Sequence, residues 1–232
     1  MDADPHPSPG TRGSSEPDVC APPRARLVAG VLGGTAGVVA VLVVTRWSPL
    51  GRLDHRVADA LHGLVVGNPA AVDVLEGATH AFDPWVFRVI AAVLATALAL
   101  RGARRVALWL FLTVWCGGLV VLGLKLAVGR ARPVLHDPVA HAGGQSFPSG
   151  HAFGSAAGCA VLLALAWPLL GRAGRAVAAT VAVVVAVSTS FTRIALGVHF
   201  LSDVLAGALL GLAWVAVSLD LLVRTSGRQP GR

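Results

Sequence analysis

Three short segments of the 232-residue chain place basic, hydroxyl and histidine side chains beside long apolar runs. The first segment, 125–133, contains Lys125, the single lysine of the chain, and Arg132. An ammonium group is a point charge, whereas a guanidinium is a planar fork that binds two phosphate oxygens at once. If this segment were helical, the seven-residue spacing would put both cations on one face, about 10 Å apart along the axis. These residues suit the binding of a phosphoryl group.

The second segment, 148–151, has the order Pro-Ser-Gly-His, which is typical of a turn that begins a helix. Ser149 and Gly150 would then lie at a helix N-terminus, where free N–H groups and the helix dipole favour an anion. In the third segment, 192–203, Arg193 supplies a second guanidinium. Together with the cations of the first segment, these groups can neutralise charge on a transferring phosphoryl group.

Two histidines can supply a nucleophile and an acid. His199 and Asp203 are four residues apart, so on a helix the carboxylate can hold one ring nitrogen and leave the other free to attack phosphorus. His151 follows the Ser-Gly turn, where it can protonate the leaving oxygen. Each segment alone also suits a structural role, as snorkelling cations, a helix cap or a buried histidine. The three segments together indicate a catalytic site.

Six apolar runs of the sequence predict the helices that hold these segments. They cover about half of the chain: 27–45, 85–100, 106–124, 150–169, 176–191 and 201–223. Such runs suit transmembrane helices, because about 20 helical residues cross a bilayer and a helix satisfies its own backbone in lipid. Since the chain direction alternates, the end of the third run, the start of the fourth, the end of the fifth and the start of the sixth share one side. The three polar segments are therefore predicted to meet at one membrane face.

The composition supports a membrane protein. The chain is 55% hydrophobic and only 13% charged, whereas soluble domains carry about 25% charged residues. This excludes a soluble enzyme, a disulfide-stapled secreted module and a disordered chain. The net charge is +7, but the arginines are spread between apolar runs, which indicates helix-flanking charges and contact with membrane lipids rather than nucleic acid. We predict an all-α polytopic protein, a bundle of six transmembrane helices.

The basic residues also predict an orientation in the cytoplasmic (inner) membrane. With the N-terminus inside, 11 of the 19 basic residues are cytoplasmic, which places both termini inside and the polar segments outside. Residues 1–25, rich in Pro, Ser, Gly and charge, are predicted to be a disordered cytoplasmic tail. Residues 26–224 would form the six-span domain, and 225–232 a second cytoplasmic tail.

The segment 46–84 lies between the first two spans. Apolar residues at helical spacing from Leu53 to Val65 alternate with charged ones, which predicts an amphipathic helix in the membrane interface. Residues 69–82 suit a second short helix. The segment would serve either as lateral access for a lipid substrate or as a surface-packed connector.

The three polar segments resemble the motifs of the type 2 phosphatidic acid phosphatase (PAP2) family, which shares its site with vanadium haloperoxidases. The motifs Lys-x6-Arg-Pro, Pro-Ser-Gly-His and Ser-Arg-x5-His-x3-Asp are matched by 125–133, 148–151 and 192–203, with Thr192 in place of the usual serine. Arg130 accompanies the first motif as a secondary residue.

The resemblance implies a role for each matched residue. His199 would be the nucleophile that forms a phosphohistidine, His151 the general acid and Asp203 the residue that orients His199. Phosphate binding would fall to Lys125, Arg132, Ser149, Gly150 and Arg193. The resemblance implies no metal ion and no cofactor, and the sequence has no clustered residues with metal-ligand spacing.

The function implied is that of a metal-independent lipid phosphatase that hydrolyses a phosphomonoester or diphosphate at the outer membrane face. Candidate substrates are undecaprenyl diphosphate, phosphatidic acid and phosphatidylglycerol phosphate. Two alternatives remain open: a phosphotransferase that uses the same histidine, and a non-catalytic membrane protein that binds anionic lipid. The sequence predicts no nucleic-acid partner and leaves the oligomeric state open.

Overall fold

The computed structural model describes residue 19 and residues 24–226. The α-helices in this part of the chain are α1 Ala25–Val44, α2 Ser48–Gly63, α3 Pro69–Ala81, α4 Pro84–Leu100, α5 Arg104–Val128, α6 Gly150–Ala166, α7 Arg172–Ala195 and α8 Leu201–Ser226. A short 3-10 helix, Trp167–Leu169, extends α6. The described residues form no strands, which confirms the prediction of an all-α protein.

Six helical stretches among the described residues are long and apolar enough to cross a membrane. One stretch joins α3 to α4, and the others correspond to α1, α5, α6 with its extension, α7 and α8. Each overlaps one of the predicted apolar runs. The prediction of a multi-pass membrane protein with six spanning helices is therefore confirmed.

Local sequence explains where the helices begin. Proline lies in the first turn of α2, α3 and α4, where its missing N–H costs no hydrogen bond. Asn68 accepts a hydrogen bond from the N–H of Ala71 at 3.2 Å, and Asp83 accepts one from the N–H of Trp85 at 2.7 Å. Ser149 is the N-cap of α6, as its sequence context predicts.

The segment 46–84 forms α2 and α3, two short helices as predicted, although α2 begins at Ser48 rather than at Leu53. The side of α2 that packs on α7 and α8 buries Asp54, Ala58 and His62. Leu53, by contrast, is exposed. The protein-facing side of α2 is therefore partly polar, which the apolar pattern did not predict. The position of α2 in the membrane interface stays a prediction.

The helices α6 and α8 pack closely against each other. A Cβ atom on Gly207 would collide with the carbonyl oxygen of Ser149, and one on Gly211 with that of Phe153. Small residues allow helix backbones to approach this closely. As a result, the starts of α6 and α8 are side by side, and the N–H of Ser149 donates to the carbonyl oxygen of Asp203 at 2.9 Å.

The predicted tails lie almost wholly outside the described residues. Of the segment 1–25, the structure describes residue 19 and the residues at which α1 begins, and of 225–232 it describes the last turn of α8. The predicted division into a six-span domain with two tails therefore stays a prediction.

Candidate active site

The predicted site residues converge at one end of the bundle, where α5 and α7 end and α6 and α8 begin. Lys125 lies in the last turn of α5, Arg132 in the loop 129–149, Ser149 at the N-cap of α6, Gly150 and His151 in its first turn, Arg193 in the last turn of α7, His199 in the turn before α8, and Asp203 in the first turn of α8. The chain topology thus brings the three segments together.

The path between Lys125 and Arg132 differs from the predicted helix. Gly129 ends α5 with φ 61°, a left-handed conformation that glycine adopts without steric cost. Arg132 precedes Pro133, and the residue before a proline is disfavoured in a helix. The prediction that both cations share a helix face is therefore wrong. Arg132 reaches the site from a loop.

His199 also lies outside the helix predicted to hold it, because α8 starts at Leu201. The turn before α8 depends on Gly197, which has φ 73°, a conformation that L side chains rarely adopt. The carbonyl oxygen of Arg193 accepts the N–H of His199 at 3.2 Å. The turn, rather than helical spacing, sets the position of the imidazole.

The buried ring of His199 is held at both nitrogens. Nδ1 is 3.6 Å from Oδ2 of Asp203 and 3.3 Å from Oγ of Ser146, and Ser146 donates to the same Oδ2 at 2.5 Å. On the other side, Nη1 of Arg132 lies 3.2 Å from Nε2. Because a guanidinium only donates, Nε2 carries the lone pair and Nδ1 the hydrogen. Asp203 therefore lies beside Nδ1 of His199, and Ser146 contacts both side chains.

Asp203 is itself fixed by a buried network that the sequence analysis missed. Its Oδ1 accepts a hydrogen bond from Nη1 of Arg130 at 2.6 Å, while Nη2 of Arg130 donates to Oδ2 of Asp54 at 2.7 Å. Asp54, on α2, is fully buried and also accepts the N–H and the hydroxyl of Ser202, at 2.9 and 2.6 Å. The guanidinium of Arg130 thus contacts two buried carboxylates and links α2 to Asp203, which lies beside His199.

Two of the predicted phosphate-binding cations hold the loop 129–149. Lys125 Nζ donates to the carbonyl oxygen of Gln145 at 2.5 Å. Arg132 donates to the carbonyl oxygens of Val198 at 2.7 Å and Gly143 at 2.9 Å. Burial lowers the pKa of Arg132, while the charge of Asp203 opposes that shift. Arg132 remains a cation, because a guanidinium does not lose its proton in proteins.

Arg193 has a buried N–H group that finds no acceptor in the described part of the chain. The side chain is buried, and no described residue accepts a hydrogen bond from its Nε–H. Buried N–H groups are nearly always paired in folded proteins. This Nε–H, on the residue whose carbonyl oxygen holds the His199 turn, is therefore free to donate to a bound ligand.

His151 is paired with a second carboxylate. Its Nε2 lies 3.1 Å from Oδ2 of Asp83, whose Oδ1 caps α4. Arg193 and Arg132 are close enough for their positive charges to interact electrostatically with the ring of His151. The site therefore contains two histidine–aspartate pairs, and the sequence analysis found only the one with His199.

The surroundings keep His199 neutral. Burial lowers the pKa of His199 to about 4, and the charges of Arg132 and Arg193 act in the same direction against the opposing effect of Asp203. At neutral pH Nε2 is therefore unprotonated, and its lone pair faces the guanidinium of Arg132. In the part of the chain that the structure describes, no group of three or more His, Cys, Asp or Glu side chains is placed to hold a metal ion.

The residues that sequence reasoning missed share a weak signal. Asp83 directly precedes the Pro84 that opens an apolar run, and Asp54 is an acid in a segment predicted to lie on the same side as the motifs. Acidic residues near span ends on the predicted active side were thus the clue to both. Ser146 had no comparable signal.

Two comparisons with known proteins give a match for this chain. The sequence model of the PAP2 superfamily matches residues 106–225, a range that includes every predicted site residue. The crystal structure of a transmembrane PAP2 type phosphatidylglycerolphosphate phosphatase from Bacillus subtilis is similar, with a TM-score of 0.72 and 24% sequence identity over 88% of this chain and 98% of that chain. This likeness shows a shared fold. No curated protein matches the chain at a significant level.

Proposed function

Because the chain belongs to the PAP2 superfamily, we propose that it is a membrane lipid phosphatase that transfers a phosphoryl group first to His199 and then to water. The buried, unpaired Nε–H of Arg193 is the observation that carries this proposal. Leaving such a donor unpaired costs about 1–3 kcal/mol, and a phosphate oxygen is the acceptor that would remove the cost. Lys125 and Arg132 add positive charge at the same end of the bundle.

In the first step, Nε2 of His199 attacks phosphorus. A nitrogen–phosphorus bond forms while the bond between phosphorus and the leaving oxygen breaks. Asp203 stabilises the positive charge that the imidazole gains, because its Oδ2 lies 3.6 Å from Nδ1. The charge on the equatorial oxygens is neutralised by Lys125, Arg132, Arg193 and the α6 N-terminus at Ser149 and Gly150.

His151 handles the protons of both steps. It first donates a proton to the leaving oxygen, while Asp83 holds its ring in place at 3.1 Å. In the second step it accepts a proton from water, whose oxygen attacks phosphorus as the nitrogen–phosphorus bond breaks. Inorganic phosphate leaves and His199 is restored. This sequence needs no metal ion or cofactor, because side-chain cations supply the positive charge.

The proposed substrate is a lipid phosphomonoester or diphosphate, with undecaprenyl diphosphate, phosphatidic acid and phosphatidylglycerol phosphate as candidates. We place the site at the outer face of the cytoplasmic membrane and both termini inside, because this orientation leaves most basic residues in the cytoplasm. The phosphatase domain would span 26–224, flanked by the cytoplasmic tails 1–25 and 225–232.

The test is phosphate release by the detergent-purified protein from a panel of these lipids, with EDTA present throughout. His199→Ala removes the nucleophile, and His80→Ala is the matched control, because His80 is exposed and outside the site. We expect release by the parent and by His80→Ala, and none by His199→Ala.

Other outcomes contradict specific parts of the proposal. Activity retained by His199→Ala would show that another group is the nucleophile. Activity lost in EDTA and restored by a divalent cation would contradict metal independence. If the folded protein released no phosphate from any lipid but phosphorylated an added alcohol, it would be a phosphotransferase. Binding of the lipids without either reaction would show a non-catalytic protein.

A further inference from the structure

Arg88 is a charged residue inside a membrane-spanning helix that the proposed reaction does not use. It lies in α4, and its guanidinium stacks over the ring of Trp85 at 4.8 Å and near that of Trp115 at 5.9 Å. Within the described residues it has no carboxylate or hydrogen-bond acceptor as a partner. Ionisable side chains within membrane spans are costly and mark functional sites more often than not.

The guanidinium of Arg88 lies against a glycine of α5, where there is no side chain to exclude it. A Cβ atom on Gly118 would collide with Nη2 of Arg88. The bare Cα of this glycine therefore makes room for the charged group between the helices. An arginine that only anchored α4 at the membrane surface would extend toward water and would need no such space.

Arg88 and His151 line the same cavity. This cavity, of about 300 Å³, lies between α4, α5 and α6, and Asp83 and Gly118 also line it. Arg88 is five residues after Asp83 on α4, which is about 7.5 Å along the helix axis. Because α4 begins at the active-site end, Arg88 lies deeper in the bundle than the contact between Asp83 and His151.

The order of the two histidines along the site indicates which part of the substrate lies in this cavity. In the proposed reaction, phosphorus is attacked from the side of His199, and the leaving oxygen faces His151. The part of the substrate beyond that oxygen is the leaving group, which in a lipid substrate includes the apolar tail. The cavity beyond His151 is therefore the place for the leaving group, and a cation in its wall attracts a negative charge there.

We propose that Arg88 binds an anionic group within the leaving group of the substrate. This inference rests on the proposed function and narrows its substrate class. Two of the candidate substrate types have a second phosphate beside the reacting one. It is the inner phosphate of a prenyl diphosphate or the phosphodiester of phosphatidylglycerol phosphate. The leaving group of phosphatidic acid is a neutral diacylglycerol and offers Arg88 no such partner.

The experiment compares two substrate pairs that differ in the second phosphate. One pair is farnesyl diphosphate and farnesyl monophosphate, and the other is phosphatidylglycerol phosphate and phosphatidic acid with matched acyl chains. The parent, Arg88→Gln and Arg88→Lys are assayed in detergent. Arg56→Gln is the matched control, because it removes an exposed arginine from α2.

A hydrogen bond to a charged group contributes about 1.5–3 kcal/mol, so Arg88→Gln should lower kcat/KM for one or both bis-phosphorylated substrates by about 10- to 140-fold. The mono-phosphorylated partners should change by less than about threefold, and Arg88→Lys should be intermediate. The pair that responds identifies the source of the second phosphate. An equal loss on both members of each pair, or no loss on any, would overturn the inference.

A second variant tests the geometry without removing the charge. Gly118→Ala adds a Cβ where the guanidinium lies, and the flexible end of Arg88 can move aside. We expect the same selective loss on bis-phosphorylated substrates, with an unfolding midpoint close to that of the parent. A parent-like substrate preference for Gly118→Ala would contradict the proposed position of Arg88.

Binding separates this inference from the proposed function. In the His199→Ala background, which lacks the nucleophile, the Kd of farnesyl diphosphate is measured with and without Arg88→Gln. A weaker Kd for the diphosphate, with that of farnesyl monophosphate unchanged, supports the Arg88 subsite even if no lipid is hydrolysed. An unchanged Kd for the diphosphate refutes the subsite whether or not the protein is a phosphatase.

Discussion

Replacing Asp54 by asparagine tests whether α2 holds the catalytic end of the bundle in place. Asp54 is fully buried, and its Oδ2 accepts hydrogen bonds from Arg130 and from the Ser202 hydroxyl. Asparagine keeps the shape and the acceptor for the N–H of Ser202. It replaces the charged oxygen by an NH2 group, which is a donor facing the donors of Arg130.

The expected loss follows from these contacts. Removing one partner of a buried ion pair costs about 3–5 kcal/mol, and asparagine keeps one of the three hydrogen bonds. We therefore expect Asp54→Asn to lower the free energy of unfolding by about 3 kcal/mol. For a protein of this size, such a change lowers the unfolding midpoint by about 6–12 °C. The value of kcat should fall even well below that midpoint, because Arg130 also holds Asp203.

The assay is thermal unfolding in detergent followed by kcat at a temperature at which all variants are folded. Asp59→Asn is the matched control, since Asp59 is an exposed carboxylate on the same helix and its replacement should change the free energy of unfolding by no more than about 0.5 kcal/mol. A double-mutant cycle with Arg130→Met isolates the coupling of the pair. Equal midpoints and equal kcat for Asp54→Asn and Asp59→Asn would refute the proposed role of this network.

Three further predictions concern the reaction itself. Since the pKa of His199 is lowered to about 4, its imidazole signal in 13C-histidine NMR, assigned with His199→Ala, should titrate near pH 4, and titration near pH 6.5 would contradict this. The contribution of the neutral His199 to the free energy of unfolding should be complete above pH 6.5 and be lost as the pH falls through 4. Asp83→Asn keeps the cap of α4 but loses the charge that holds His151, so kcat should fall for lipid phosphates and change much less for p-nitrophenyl phosphate, whose leaving group needs no proton. Arg193→Ala should lower kcat by about 10²–10³-fold if its guanidinium stabilises the transition state, and a KM effect alone would assign it to ground-state binding.

Local chemistry explains which parts of the site were predictable. Ser149 was predicted as a helix cap, because capping depends on residues that are adjacent in sequence. The pairing of His199 with Asp203 was also predicted, although the turn at Gly197 rather than a helix produces it. The helix predicted to join Lys125 and Arg132 is wrong, because Gly129 adopts a left-handed conformation that ends α5.

The number of membrane spans and the common end of the three motifs follow from the order of apolar and polar residues along the chain. Hydropathy and the need to satisfy the backbone in lipid act locally, and alternation of direction then follows. The partner of each buried charge depends instead on how the helices pack together. Asp54 and Arg130 are 76 residues apart in sequence and 2.7 Å apart in space. Such contacts depend on how distant helices pack to within a fraction of an ångström, and no local pattern encodes that distance.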